Sequence, residues 1–140
     1  MNSLNLPYYS TQILSMRIGN HCGRPILAKP IFVLSIIDCI AADNIKTNEI
    51  RYTQELENMY TTNYLSFFEK STGMQWPFFH LTSDGFYHIK GNLTSKSPTP
   101  NQLKTQIEYA YFDDALWQLL QNSESRDYLR QSLIKHYLQK

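Results

Sequence analysis

The 140-residue sequence is poor in cysteine and glycine, and it contains no long run of apolar residues. Its two cysteines, Cys22 and Cys39, form no CxxC motif and no zinc-ligand spacing with the histidines, so a disulfide scaffold and a zinc finger are excluded. Two reduced thiols are typical of a cytoplasmic protein, which is the location we expect. Because there is neither a signal peptide nor a run of about 18 apolar residues, we expect no membrane partner.

The motifs of catalytic sites are also missing. The histidines belong to no HExxH motif and to no HNH-type cluster, and neither a GxSxG elbow nor a Walker loop is present. Asp38 and Asp43 share a predicted helix but point to different faces, because positions i and i+5 do not lie on one side of a helix. We therefore predict a binding domain that is not an enzyme, and we expect no metal and no cofactor.

Charge is balanced overall but not along the chain. Thirteen basic and twelve acidic residues leave a net charge of +1, which does not indicate a nucleic-acid binder. Residues 1 to 30, however, hold Arg17, Arg24 and Lys29 and no acidic residue. This segment carries His21, Arg24 and Lys29 into the predicted start of a helix, where anions such as phosphate bind. These side chains are candidates for an anion site; the alternative is that they are solvated surface charges.

Apolar periodicity and chain-breaking residues predict a mostly helical chain. The first 18 residues indicate one helix, and residues 19 to 25 indicate a loop, since they include two glycines, an asparagine and a proline. Residues 29 to 43 are apolar nearly all round, which predicts the central core helix. Thr53 begins another helix, which Gly73 ends.

Two short helices are predicted near the end of the sequence. Asp113 or Asp114 caps the first, and Ser123 or Ser125 caps the second, which runs through Leu138. The second helix meets no glycine or proline stop. We therefore expect the chain to continue into a segment beyond this sequence.

Residues 78 to 90 change from a helical to an alternating period. Aromatic and apolar residues alternate on both sides of the TSDG turn at residues 82 to 85, which predicts a β-hairpin. Residues 91 to 101 follow as a polar loop. A helix, an extended piece, a helix and a hairpin are the order of a winged-helix unit. We therefore predict one α+β domain over residues 1 to 140, mostly helical and winged-helix-like, with a small antiparallel hairpin or sheet.

Part of this aromatic segment is suited to a ligand. Pro77 holds a rigid apolar ring beside Trp76, a surface that exists before any ligand arrives, and His80 adds a polar group. We predict that Trp76, Pro77 and His80 face a ligand; the alternative is that Trp76 and Pro77 pack inward. Lys96 lies in the polar loop, which either follows a DNA backbone or is an ordinary surface loop.

Three segments, in order, carry a family resemblance: a basic Gly/Pro loop, KPIFVLSIIDCI, and QWPFFHLTSDGFYHIKG. Together they resemble the sulfur-binding domain of phosphorothioate-dependent, HNH-type restriction endonucleases. The resemblance rests on the order and spacing of KP at residues 29 and 30, WPF at 76 to 78 and DGF at 84 to 86. It covers roughly residues 10 to 138.

The resemblance implies recognition of double-stranded DNA in which sulfur replaces a non-bridging phosphate oxygen. A nuclease domain would lie outside this chain, and either that C-terminal domain or a second copy of the chain is the further partner implied. The implied site residues are Trp76, Pro77 and His80 for the sulfur pocket, Arg24 or Lys29 for the cation, and His21 and Lys96 for further contacts. Two positions depart from the family pattern. Trp76 stands where tyrosine is usual, and His80 is bulkier than the small residue expected beside sulfur.

Two other functions remain open on the residues. One is a winged-helix DNA-binding module that does not sense a modification and reads bases through a helix in the major groove. The other is a protein-interaction module whose aromatic segment docks a partner domain or a second copy of the chain.

Overall fold

A computed structural model describes residues 5 to 139. Within that range lie seven α-helices and two small antiparallel sheets of two strands each. The helices are α1 (Asn5–Leu14), α2 (Ala28–Ala41), α3 (Gln54–Phe67), α4 (Gln75–His80), α5 (Pro100–Thr105), α6 (Asp114–Gln121) and α7 (Ser123–Leu133). The strands are β1 (Gly19–His21), β2 (Arg24–Ile26), β3 (Tyr87–Gly91) and β4 (Ile107–Phe112). The predicted α+β class, mostly helical with small antiparallel sheets, is confirmed.

Helix α2 forms the centre of the core. Twelve of its fourteen residues are buried, as the apolar character all round the helix predicts. Helices α3, α4, α6 and α7 all pack against it. Phe32 of α2 meets Phe78 of α4 at a ring-centroid distance of 5.6 Å and meets Tyr87 of β3 at 5.9 Å. These contacts fix α4 and β3 against the first turns of α2.

The ends of the first helices differ in part from the predicted ones. Thr53 caps α3, as predicted, because its hydroxyl accepts the backbone N–H of Leu56 at 3.2 Å. The helix ends at Phe67 rather than near Gly73, because Phe68 already has an extended backbone, with φ of −137° and ψ of 161°. Helix α1 ends at Leu14, and the predicted residues 1 to 4 of that helix lie outside the described range.

The predicted loop at residues 19 to 25 is a β-hairpin, so that prediction is wrong. Strands β1 and β2 pair antiparallel, and Cys22 and Gly23 between them have φ angles of 52° and 79°. Two positive φ angles in a row are typical of the tight type I′ turn, which glycine favours. Asn20 supports the turn by accepting the N–H of Gly23 at 3.0 Å.

The predicted hairpin at residues 78 to 90 is wrong as well. Its first half is helix α4, followed by a 3-10 turn (Leu81–Asp84) that Gly85 ends with a φ of 89°. Its second half is strand β3, which pairs with β4 some distance along the chain, with Tyr87 opposite Phe112. Burial explains the difference, because Pro77 and Phe78 turn inward together as neighbours on a helix.

The predicted extended piece before α3 lies beside the β3–β4 sheet. It joins the sheet through an isolated antiparallel bridge between Ile50 and Ala110. Helix α7 is capped by Asn122, whose side chain accepts the N–H groups of Glu124 and Ser125, so neither predicted serine is the cap. Across residues 5 to 139, no helix has the length and apolar character needed to cross a membrane.

Candidate nucleic-acid interface

A buried ion pair lies at the first turn of α2. Lys29 Nζ is 2.7 Å from Asp84 Oδ2, and the two side chains are only 5% and 3% exposed. Lys29 also donates to Ser83 Oγ at 3.2 Å. The other carboxylate oxygen of Asp84 accepts the backbone N–H of Arg17 at 2.7 Å. The pair therefore joins three segments: the start of α2, the 3-10 turn and the chain after α1.

The 3-10 turn holds Asp84 in this inward position. The hydroxyl of Thr82 donates to the carbonyl of Phe79 at 2.8 Å, and the hydroxyl of Ser83 donates to the carbonyl of His80 at 3.0 Å. Short polar side chains that bond to the preceding backbone stabilise turns of this kind. The turn that follows α4 is thus tied both to α4 and to α2.

Two rings of α4 form a surface above the ion pair. Trp76 and His80 lie one helical turn apart, and their ring centroids are separated by 4.7 Å with an interplanar angle of 38°. Trp76 is 39% exposed, and His80 is half-buried. Lys29 Nζ lies 6.0 Å from the centroid of the Trp76 ring. We call Trp76 and His80 the ring pair.

The surroundings of His80 favour the neutral form of its ring. Burial, and then the positive charge of Lys29, lower the pKa of His80 below its ordinary value of 6.5. A neutral imidazole offers one N–H donor and one acceptor, so it can bind a polar atom without adding charge.

Two predicted site residues lie inside the molecule. The ammonium of Lys29 is buried because Asp84 and Ser83 bind it from the 3-10 turn. Pro77 is buried because it lies on the face of α4 that packs with Phe78 against α2. The predicted exposure of Lys29 and Pro77 is therefore wrong, and their roles in binding stay a prediction.

The other predicted contacts lie on the β1–β2 hairpin and on the loop before α5. His21 and Arg24 are exposed on the β1–β2 hairpin. Arg24 lines an open groove with the segment that ends α3, residues 65 to 69. Lys96 is exposed in the loop before α5. Among residues 5 to 139, no hydrogen bond or ion pair joins Arg24, His21 or Lys96 to the ring pair.

Sequence reasoning missed Asp84 as a member of the site. The sequence indicates only an Asp-Gly turn at this position, whereas the buried carboxylate of Asp84 binds Lys29. The sequence carries no signal for this contact, because nothing along the chain shows that Lys29 and Asp84 meet. Arg17 was noted for its charge, but its backbone N–H is the group that contacts Asp84.

A second cluster of polar side chains joins strand β3, helix α1 and the residue before α6. His88 Nε2 is 2.5 Å from Asp113 Oδ1, and Tyr9 donates its hydroxyl to Asp113 Oδ2 at 2.8 Å. Burial and the Asp113 bond raise the pKa of Tyr9 to about 12. Within the described residues, no group of three or more His, Cys, Asp or Glu is placed to hold a metal ion.

Comparison with known proteins identifies a solved structure with a similar fold. No protein-family model matches the sequence, and no curated protein matches it. Among solved structures, the chain is similar to the sulfur-binding domain of ScoMcrA, which was solved in complex with phosphorothioated DNA. The TM-score is 0.70 at 18% sequence identity, and the match covers 92% of this chain and 86% of that one. The resemblance read from the sequence is therefore confirmed for the fold, and this chain has the fold of a sulfur-binding domain.

Proposed function

We propose that this chain binds double-stranded DNA with a phosphorothioate in its backbone. It would serve as the recognition domain of a modification-dependent restriction endonuclease. The observation that carries the proposal is the ring pair, the exposed Trp76 against the half-buried His80, in a fold shared with a sulfur-binding domain solved with phosphorothioated DNA. The proposed role is binding, and cleavage is assigned to no residue of this chain.

The chemistry of sulfur suits a surface made of rings. Sulfur is larger and less strongly hydrated than the oxygen that it replaces. A phosphate oxygen must lose strong hydrogen bonds to water when it meets an apolar surface, whereas sulfur loses little. Contact with Trp76 and His80 therefore favours the modified phosphate over the ordinary one.

The remaining predicted residues have supporting roles in this proposal. Pro77 is buried on α4 and Lys29 binds the turn that follows α4, so both hold α4 in place. Arg24 and His21 on the β1–β2 hairpin contact neighbouring phosphates, as exposed basic and polar groups do in most DNA complexes. Lys96 contacts the backbone from the loop before α5.

Fluorescence polarisation with two duplexes of one sequence tests the proposal. One duplex carries a phosphorothioate in each strand and the other carries none, and both are titrated at one fixed salt concentration. We expect at least about tenfold tighter binding to the modified duplex, which corresponds to about 1.4 kcal/mol. Equal affinity would contradict sulfur recognition, and equal affinity with a dependence on base sequence would favour the unmodified DNA-binding module.

A protein-docking function is the second candidate, and one observation favours it. Leu65, Phe67 and Phe68 at the end of α3 are 52%, 36% and 39% exposed. An exposed apolar cluster is typical of a surface that binds another protein. Light scattering on the purified chain, with and without the Leu65→Ser and Phe68→Ser substitutions, tests self-association. A monomer in both cases would count against a second copy as the partner.

A further inference from the structure

We infer that Asp84 determines specificity by neutralising Lys29 beneath the ring pair, so that an ordinary phosphate gains little there. The inference rests on the proposed function, because it concerns the same DNA site. It goes further in assigning to a buried acidic residue the exclusion of unmodified DNA.

The geometry places the Lys29 ammonium next to the ring pair and Asp84 on that ammonium. Lys29 Nζ is 6.0 Å from the Trp76 centroid and 2.7 Å from Asp84 Oδ2. The side chains of Lys29 and Asp84 are at most 5% exposed, so little water screens them. A ligand on Trp76 therefore meets the field of a compensated pair and not that of a free ammonium.

A second contact keeps Asp84 in place when an anion approaches. Its Oδ1 accepts the backbone N–H of Arg17 at 2.7 Å, while Oδ2 binds Lys29. A phosphate that bound Lys29 would have to displace a carboxylate held by two donors.

Neutrality of the surface acts differently on oxygen and on sulfur. An ordinary phosphate oxygen needs a strong donor or a cation to replace its lost water. The site supplies no free cation, since Lys29 is bound to Asp84, and burial and Lys29 lower the pKa of His80, which favours its neutral form. Sulfur needs less compensation and gains contact with the rings, so a neutral surface is the one that separates the two ligands.

The substitution Asp84→Asn tests the inference, because it leaves Lys29 uncompensated. We expect unmodified duplex to bind more tightly, and we expect the ratio of affinities for modified and unmodified duplex to fall about fivefold or more. A residue that only held the turn in place would instead weaken both duplexes by the same factor. An unchanged ratio in a folded Asp84→Asn variant would overturn the inference.

Two further variants keep the test decisive if Asp84→Asn does not fold. His80→Lys places a free cation on the same surface at a half-buried position, and it should lower the ratio in the same way. The double substitution Lys29→Met with Asp84→Leu removes both charges and adds none, so its ratio should stay above that of His80→Lys. A ratio in the double variant as low as that of His80→Lys, or an unchanged ratio in His80→Lys, would also overturn the inference.

The outcomes separate this inference from the proposed function. If wild type prefers the modified duplex and both Asp84→Asn and His80→Lys keep that preference unchanged, the inference fails and the proposed function stands. If wild type shows no preference for the modified duplex, the proposed function itself fails.

Discussion

Loss of the Trp76 side chain should reduce DNA affinity strongly and change the free energy of unfolding little. Its ring is 39% exposed and stacks on His80 within one helix. We expect Trp76→Ala to weaken binding of phosphorothioate duplex about tenfold or more, because a stacked or contacting ring contributes about 1 to 3 kcal/mol. Polarisation titration measures the affinity, and urea denaturation checks that the variant is folded.

Tyr128→Ala is the matched control for Trp76. Tyr128 is an exposed aromatic residue, 52% exposed, on α7 and outside the proposed site. The control should bind both duplexes as wild type does. Equal affinity of Trp76→Ala and wild type for the modified duplex would remove Trp76 from the site.

His80 should make stability depend on pH below neutrality. Burial and Lys29 lower the pKa of His80 in the folded chain below the 6.5 of an unfolded one. The unfolded chain therefore binds more protons in that range, so the free energy of unfolding falls as the pH falls from 7 through the folded pKa. Urea denaturation at several pH values should show a smaller fall for His80→Gln, and identical slopes would contradict the assignment.

Among the elements, the cap of α7 offers a direct test of the structure against the sequence. Asn122 accepts the N–H groups of Glu124 and Ser125, whereas the sequence predicted a serine cap. We expect Asn122→Ala to lower the free energy of unfolding by about 1 kcal/mol, as loss of an N-cap does. Ser123→Ala, at the first position of the helix, is the control and should change it by less than about half of that. A larger loss of unfolding free energy in Ser123→Ala than in Asn122→Ala would instead identify Ser123 as the cap.

The predictions for the elements succeeded where one segment carries its own signal. Helix α2 was recognised because its apolar residues allow no other environment, and α3 was recognised because Thr53 caps it locally. They failed at residues 78 to 90, where an alternating pattern and an Asp-Gly turn indicated a hairpin. Packing against α2 favours a helix at residues 75 to 80, since a helix buries both Pro77 and Phe78 and brings Phe78 into contact with Phe32.

For the molecule as a whole, one polar network ties three helices together. Asp38 of α2 accepts from Arg130 of α7 at 2.7 Å and from Asn63 of α3 at 3.1 Å. We expect Asp38→Ala to lower the free energy of unfolding by about 2 kcal/mol, because both donors lose a charged acceptor and Arg130 recovers only part through water. Urea denaturation measures the loss.

The exposed pair of Lys46 with Asp43 is the control for that network. Its atoms are 3.9 Å apart, and both side chains are largely exposed. Lys46→Ala should change the free energy of unfolding by less than about 0.5 kcal/mol. A similar loss in the Asp38 and Lys46 variants would mean that the network contributes no more than a surface ion pair.

The uneven charge of the chain leads to a prediction about salt. Arg24 is exposed in a segment free of acidic residues, although the total charge is only +1. We expect Arg24→Ala to weaken both duplexes by a similar factor and to reduce the slope of log affinity against log salt by about 0.9, which is one phosphate contact. Polarisation at four salt concentrations measures the slope.

Arg51→Ala is the control for Arg24. The Arg51 guanidinium is bound to Glu49 and to the carbonyl of Glu108, beside the β3–β4 sheet. Its removal should leave the salt slope unchanged. If Arg24→Ala lost affinity only for the modified duplex, Arg24 would be a contact of the sulfur site and not a general phosphate contact.

Local chemistry was enough to establish the fold class, the core helix, the cap at Thr53 and the ring-bearing segment around Trp76, because each depends on neighbours along the chain. The pairing of β3 with β4, the burial of Pro77 and the bond between Lys29 and Asp84 depend on residues far apart in sequence. Only packing around α2 brings those residues together. It turned Lys29 from an apparent surface cation into half of a buried ion pair, 6.0 Å from the centroid of the Trp76 ring, because burial leaves a charged side chain stable only when an opposite charge meets it.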